Sequence, residues 1–376
     1  MLRNKILAAA IVSAFATPMV ASAEDAKPAG PAIPTLSQVL DSSGITMTGY
    51  LDAGYTYANR AIDTSGTAVG PSDRVFDSYK NSFLLHQAAV TVAKQPKEGF
   101  GGLVNLTMGQ DAKVINGSDG NGPETFNVTQ AFAQYATGNL TVIGGKYTTL
   151  QGTEVIATPS DVNISRSLLF FGEPVTHTGV RGTYAVSDKI SLIAGINNGI
   201  ISSDHDINGG KTLELGVTVA PIKPVTIGIY NLSGKETSAA FDGTRNSFNA
   251  VASWTVIDPL TLGFEYLNVS QDGMVASTEK AKYSGEALYV TYMITPKWRA
   301  TVRGEWMKDS DGLLFGVADN KMKETTLTVA YLPTDSFEIR AEVRGDRSDK
   351  PFFLNTDLVT SEKSLTTYAL EGIYKF

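Results

Sequence analysis

Residues 337–346 read Phe-Glu-Ile-Arg-Ala-Glu-Val-Arg-Gly-Asp, and this segment constrains the fold more than any other. At the two-residue period of an extended strand, Phe337, Ile339, Ala341, Val343 and Gly345 share one face, while Glu338, Arg340, Glu342, Arg344 and Asp346 share the other. A one-residue slip exchanges the faces, and an arginine turned to lipid near the midplane costs about 2–4 kcal/mol, so the charges must point inward. Segment 298–306 repeats the arrangement, with Trp298, Ala300, Val302, Gly304 and Trp306 opposite Arg299, Thr301, Arg303 and Glu305.

From Thr46 onward the period-two pattern recurs about sixteen times. The segments are 46–58, 83–95, 100–111, 127–137, 140–149, 176–187, 190–199, 211–221, 225–236, 246–257, 261–272, 281–294, 298–310, 323–334, 337–348 and 363–376. Most are roughly 9 to 13 residues long, the length a tilted strand needs to cross a bilayer. A half-exposed soluble sheet alternates as well, so the connections must separate the two architectures. They alternate in length: seven are short, such as Gly138-Asn139 and Asp258-Pro259, and eight are long (59–82, 112–126, 150–175, 200–210, 237–245, 273–280, 311–322 and 349–362). That count fits an all-β, transmembrane, antiparallel up-and-down barrel of about 16 strands, with 14 or 18 as alternatives and both termini on the short-turn side. Tyr55, Tyr57, Tyr147, Tyr184, Trp254, Tyr266, Trp298, Trp306 and Tyr331 stand near strand ends, where interfacial girdles form. The last strand puts Tyr368, Leu370, Gly372, Tyr374 and Phe376 on one face, and its aromatic carboxyl-terminal residue resembles the assembly signal of Gram-negative outer-membrane barrels.

The N-terminus reads as an export signal over 1–23: Arg3 and Lys5, the apolar stretch from Ile6 to Phe15, and a small-residue cleavage site at Ala21-Ser22-Ala23. Residues 24–45 then form a periplasmic leader carrying Pro28, Pro31 and Pro34, followed by a short helix over 36–44, and 46–376 form the barrel. A formal charge of −7 argues against nucleic acid as a partner. The absence of cysteine and the three scattered histidines leave little for a metal centre or a catalytic triad, so neither cofactor, metal nor enzymatic activity is expected. Residues 204–209, Asp-His-Asp-Ile-Asn-Gly, match half of a calcium loop, but Leu215 stands where the bidentate glutamate belongs. A barrel enzyme would have to rest on His177 near Ser165 or Thr178.

A barrel of sixteen strands is wide enough to leave a water-filled lumen. Inward charges of both signs make Lys146, Arg181, Arg299, Arg303, Glu305, Arg340, Glu342 and Arg344 candidate pore-lining residues, and their balance argues against strong ion selectivity. The third long loop, 150–175, carries Leu168, Leu169, Phe170 and Phe171 beside Arg166. An apolar run of that kind must fold against something, and bending into the barrel would place Arg166, Glu154 or Glu173 at a constriction. Packing at the rim or against another subunit is the alternative.

Several stretches resemble the OmpL-like β-barrel porin family, the porin-2 group. They are the opening strand from Ser43 to Tyr55, Asn81-Ser82-Phe83-Leu84-Leu85-His86-Gln87-Ala88, Glu98-Gly99-Phe100-Gly101 and Gly109-Gln110-Asp111-Ala112. The most specific are Asn163-Ile164-Ser165-Arg166-Ser167-Leu168-Leu169-Phe170-Phe171-Gly172 and Thr176-His177-Thr178-Gly179-Val180-Arg181. The resemblance implies contact with outer-membrane lipid and passive diffusion of small hydrophilic solutes and ions. A substrate-preferring channel, or a structural or adhesive barrel with an occluded lumen, are the alternatives, and monomer and homotrimer both stay open.

Overall fold

The computed structural model describes residues 40, 42–61, 73–77, 79–201, 204–355 and 359–376. The expected signal peptide and Pro-rich leader lie outside the described residues, as does most of the helix expected over 36–44. Leu40, Ser42 and Ser43 are helical, and Gly44, with φ 68°, turns the chain into the first strand.

The strands are β1 Thr46–Ala58, β2 Ser82–Lys94, β3 Gly99–Met108, β4 Phe126–Thr137, β5 Leu140–Thr148, β6 Thr176–Ala185, β7 Ile190–Asn197, β8 Thr212–Ile222 and β9 Val225–Thr237. There follow β10 Asp242–Ile257, β11 Leu260–Gln271, β12 Ala281–Thr295, β13 Trp298–Asp311, β14 Ala318–Thr334, β15 Phe337–Ser348, β16 Phe353–Leu354, β17 Ser361–Glu362 and β18 Ser364–Lys375. Sixteen of them close a barrel in which each pairs antiparallel with its neighbours and β18 returns to β1, while β16 and β17 form a small ladder in the last long loop. The expected segments all become barrel strands. Their lengths spread further than expected, from 8 residues in β7 to 17 in β14, because β10 and β14 continue past the apolar stretch as paired hairpin arms at the long-loop end.

Closure uses the last residue. The Gly49 amide donates to the Phe376 carbonyl at 2.8 Å and the Phe376 amide donates back at 2.9 Å, which leaves no open edge between β1 and β18. The Phe376 ring lies over Gly49, where a Cβ would stand 2.6 Å from it and 2.9 Å from the Ala89 carbonyl oxygen, so any other residue would have to displace them.

Outward residues are apolar and exposed, inward ones polar and buried, as the alternation in residues 337–346 requires. Tyr57, Tyr184, Trp254, Trp298 and Trp306 stand on the outer wall. Tyr147 does not. It pairs with His177 on the inward side, on the same face as Ile143 and Arg181, and lies beneath the Arg181 guanidinium at 4.1 Å.

The lumen holds two apolar clusters that a plain barrel lacks. Leu168 and Leu169, in a short helix spanning Leu168–Phe171, pack with Leu267, Tyr283, Met307, Met322, Phe315 and Phe352. Phe170 packs with Val75, Phe76, Ile115 and Ile156. Ile115 belongs to a helix, Gln110–Ser118, in a stretch expected as loop, and this helix buries Asp111, Ala112, Ile115 and Asn116. Side chains from five connections thus join these clusters: Val75 and Phe76, Ile115, Ile156 with Leu168 to Phe170, Phe315, and Phe352.

Candidate pore constriction

Loop 150–175 lies along the charged inner wall, and the charges hold it by its backbone. The Glu342 carboxylate accepts the amides of Ile164 at 2.6 Å and Ser165 at 3.0 Å. Glu265 accepts the Thr153 amide at 2.8 Å, and Glu305 the Leu169 amide at 3.2 Å. In the other direction, Arg303 donates to the Ser165 carbonyl at 2.7 Å, Arg340 to the Asp161 carbonyl at 2.8 Å and the Asn163 carbonyl at 3.2 Å, and Arg344 to the Arg166 carbonyl. Amides face carboxylates and carbonyls face guanidinium groups, so a segment with no strand partner still satisfies its polar groups. Buried ions cost several kcal/mol each unless paired, and these are paired twice over: Arg303 also meets Glu154 at 2.5 Å and Glu324 at 3.1 Å.

Of the ten residues expected to line a passage, the structure brings seven together here: Glu154, Arg166, Arg303, Glu305, Arg340, Glu342 and Arg344, all buried. Their surroundings change what they can do, because a side chain with no exposed surface cannot touch a passing solute. Arg166 is the plainest correction. Rather than facing an opening, it braces the loop from within, donating to the carbonyls of Val155 at 3.0 Å and Ile156 at 3.1 Å, pairing with Asp161 at 2.9 Å and resting on the Phe76 ring at 5.1 Å. Arg299 stands at the edge of the set, partly exposed and sharing the Glu338 carboxylate with Arg340. Arg181 binds Glu214 at 2.7 Å, and the Lys146 amine meets Asp119 at 2.5 Å and Asp204 at 2.9 Å.

Residues outside that expected set complete the arrangement. Arg74 links residues 73–77 to the wall through Asp346 at 2.8 Å, and Gln87 reaches the Ile156 carbonyl at 2.9 Å. Burial in the docked loops pushes the Asp161 carboxyl up to about 7 against the pull of Arg166, and Asp73 also to about 7, where Asp346 adds repulsion. Glu173, buried beside Glu265, is pushed well above the usual carboxylate range. The half calcium loop closes on itself instead: Asp206 accepts the amides of Asn208 and Gly209, and the Lys211 amine holds its carboxyl below the usual value. His177 bonds Gly199 and Thr149, each at 3.2 Å, whereas Ser165 bonds Arg303.

Toward the short turns the inner wall has another chemistry. Thr141, Thr183, Ser191, Thr218, Thr226, Ser253, Thr261 and Thr291 share the inward face from β5 to β12, and none is buried. The exposed loop side chains Thr153, Val155 and Ser160 are likewise uncharged.

The family profile described as "Putative beta-barrel porin-2, OmpL-like" matches residues 44–376. No curated protein matches the chain. Among solved structures, the outer membrane channel DcaP of Acinetobacter baumannii is similar, with a TM-score of 0.62 at 15% identity over 88% of this chain and 97% of that one. The trimer form of OmpT from Vibrio cholerae gives 0.61 at 12% identity, over 88% and 99%. An anion-selective porin from Comamonas acidovorans gives 0.60 at 10% identity, again over 88% and 99%. At these identities the likeness establishes the fold, and the profile, which spans the whole barrel, establishes the family. The chain belongs to the OmpL-like β-barrel porin-2 family.

Proposed function

We propose that this porin is exported with cleavage after Ala23, inserts into the outer membrane, and passes small hydrophilic solutes and ions by passive diffusion between the docked loop and the hydroxyl-lined wall. The observation that carries the reading is that loop 150–175 is fastened to the charged wall, while toward the short turns the inward face of β5 to β12 keeps threonine and serine hydroxyls that are not buried. Hydroxyls replace part of a solute's hydration without selecting a charge, which fits weak ion selectivity. Proteoliposome swelling with neutral sugars of increasing size tests it. Small sugars should swell the vesicles and larger ones should not, whereas no swelling with any sugar would favour the second reading. That reading, a structural barrel with an occluded lumen, draws on the apolar cluster that fills the space against β11 to β14.

A homotrimer is the assembly we infer, supported by the trimer form of the similar Vibrio cholerae barrel. Light scattering of the detergent-solubilised protein should give three copies per particle, and a single copy would remove this part. The mass of the mature N-terminus tests the cleavage site.

A further inference from the structure

The structure assigns the cavity at the long-loop end, between Phe171 and Arg245, as a binding site for small organic carboxylates, which a solute reaches before the constriction. The assignment rests on the channel reading only in calling its ligand a solute.

Seven described arginines are at least nine-tenths buried, and six reach a carboxylate: Arg74, Arg166, Arg181, Arg303, Arg340 and Arg344. Arg245, 9% exposed, is the exception among the described residues. Its Nε donates to Gln271 at 2.8 Å and its guanidinium lies over the Phe241 ring at 5.1 Å, which fixes the plane and leaves both terminal nitrogens without an acceptor among the described residues. Arg245 lines a cavity of about 180 Å³. A desolvated guanidinium with two free, parallel donors fits a carboxylate fork better than any other small partner.

The rest of the lining completes the recognition. Phe171, Val269 and Leu314 give an apolar floor. The polar neighbours are already engaged: the Tyr283 hydroxyl donates to the Gly172 carbonyl at 2.6 Å, the Ser247 hydroxyl to Gln151 at 2.7 Å, and Glu173 accepts from Asn249 at 2.8 Å. Burial and the neighbouring Glu265 raise the Glu173 carboxyl well above the usual range, which weakens its repulsion of an anion. Glu236, the carboxylate near Arg245, accepts the Ile200 amide at 2.5 Å, so it lowers the affinity without occupying the guanidinium. The ligand is therefore a monocarboxylate with a short apolar body.

Isothermal titration of the full, detergent-solubilised protein with benzoate, and with benzamide as its neutral counterpart, tests the assignment. Benzoate should bind saturably and benzamide should not. Arg245→Gln should weaken benzoate by about tenfold or more, the loss of a charge-assisted pair. Leu314→Trp, which fills the cavity and keeps the arginine, should weaken it as well and carries the test if Arg245→Gln loses its heat-modifiable folded form. Equal binding of benzamide, undiminished binding by the folded variants, or no benzoate binding by the parent would each overturn the assignment. Conductance of the parent in potassium chloride is read separately: its absence would remove the channel reading while leaving the binding result to stand or fall by itself.

Discussion

The inward charges of β13 to β15 act on a loop backbone, and this sets what their substitution should do. Glu342 accepts two loop amides and the Thr328 hydroxyl, so Glu342→Gln puts a donor where only donors converge. We expect undocking to become easier by about 3 kcal/mol, which is roughly a hundredfold faster proteolytic cleavage within the loop when opening limits access. Unchanged cleavage in a folded barrel would mean that the contact contributes nothing to docking. Arg166→Met should act in the same way, loosening the loop with little change of reversal potential, because the guanidinium is buried within the loop and not beside the passage. The loop carboxyls add a pH dependence whose sign follows from linkage. Asp73 and Asp161 titrate at about 7 when docked, against 3.8 as an ordinary aspartate, so the docked state holds more protons in between. Their contribution to docking is therefore fully present below about pH 4 and is lost progressively as pH rises through 7. Loop cleavage should be slower at pH 5 than at pH 8, and the opposite order would contradict raised Asp73 and Asp161 carboxyls in the docked loops.

Elements follow the same division between what local pattern dictates and what distant contacts decide. Removing Phe376 deletes both closing hydrogen bonds to Gly49 and the ring that covers it, so the variant should fail to accumulate in heat-modifiable form in the outer membrane. Normal accumulation would show that β1 and β18 close without it. The strands were legible in the sequence because each carries its own alternation, and a face that meets lipid tolerates no exception such as Arg340 turned outward. Helix Gln110–Ser118 was not, since a nine-residue helix with Gly117 and Asn116 has weak propensity and is held by packing of Ile115 against Phe170, far along the chain. The inward course of loop 150–175 was legible from Leu168 to Phe171, which cannot stay in water. The role of Arg166 was not, because its partners are the carbonyls of Val155 and Ile156, groups that every residue carries and no composition distinguishes.

At the scale of the molecule, the barrel is a frame whose inner wall carries charges that hold a loop and, toward the short turns of β5 to β12, hydroxyls that face water. Sixteen strands keep their own ladder hydrogen bonds whether or not the loop is present, so frame and loop should be separable by deletion. The central claim is that the docked loop narrows an open passage. Single-channel recording in planar bilayers, comparing the parent with a variant lacking residues 153–170, tests it most directly. We predict discrete ohmic steps for the parent and steps severalfold larger for the deletion, with both proteins migrating as folded barrels. Steps of equal size, or no steps from either folded protein, would contradict it.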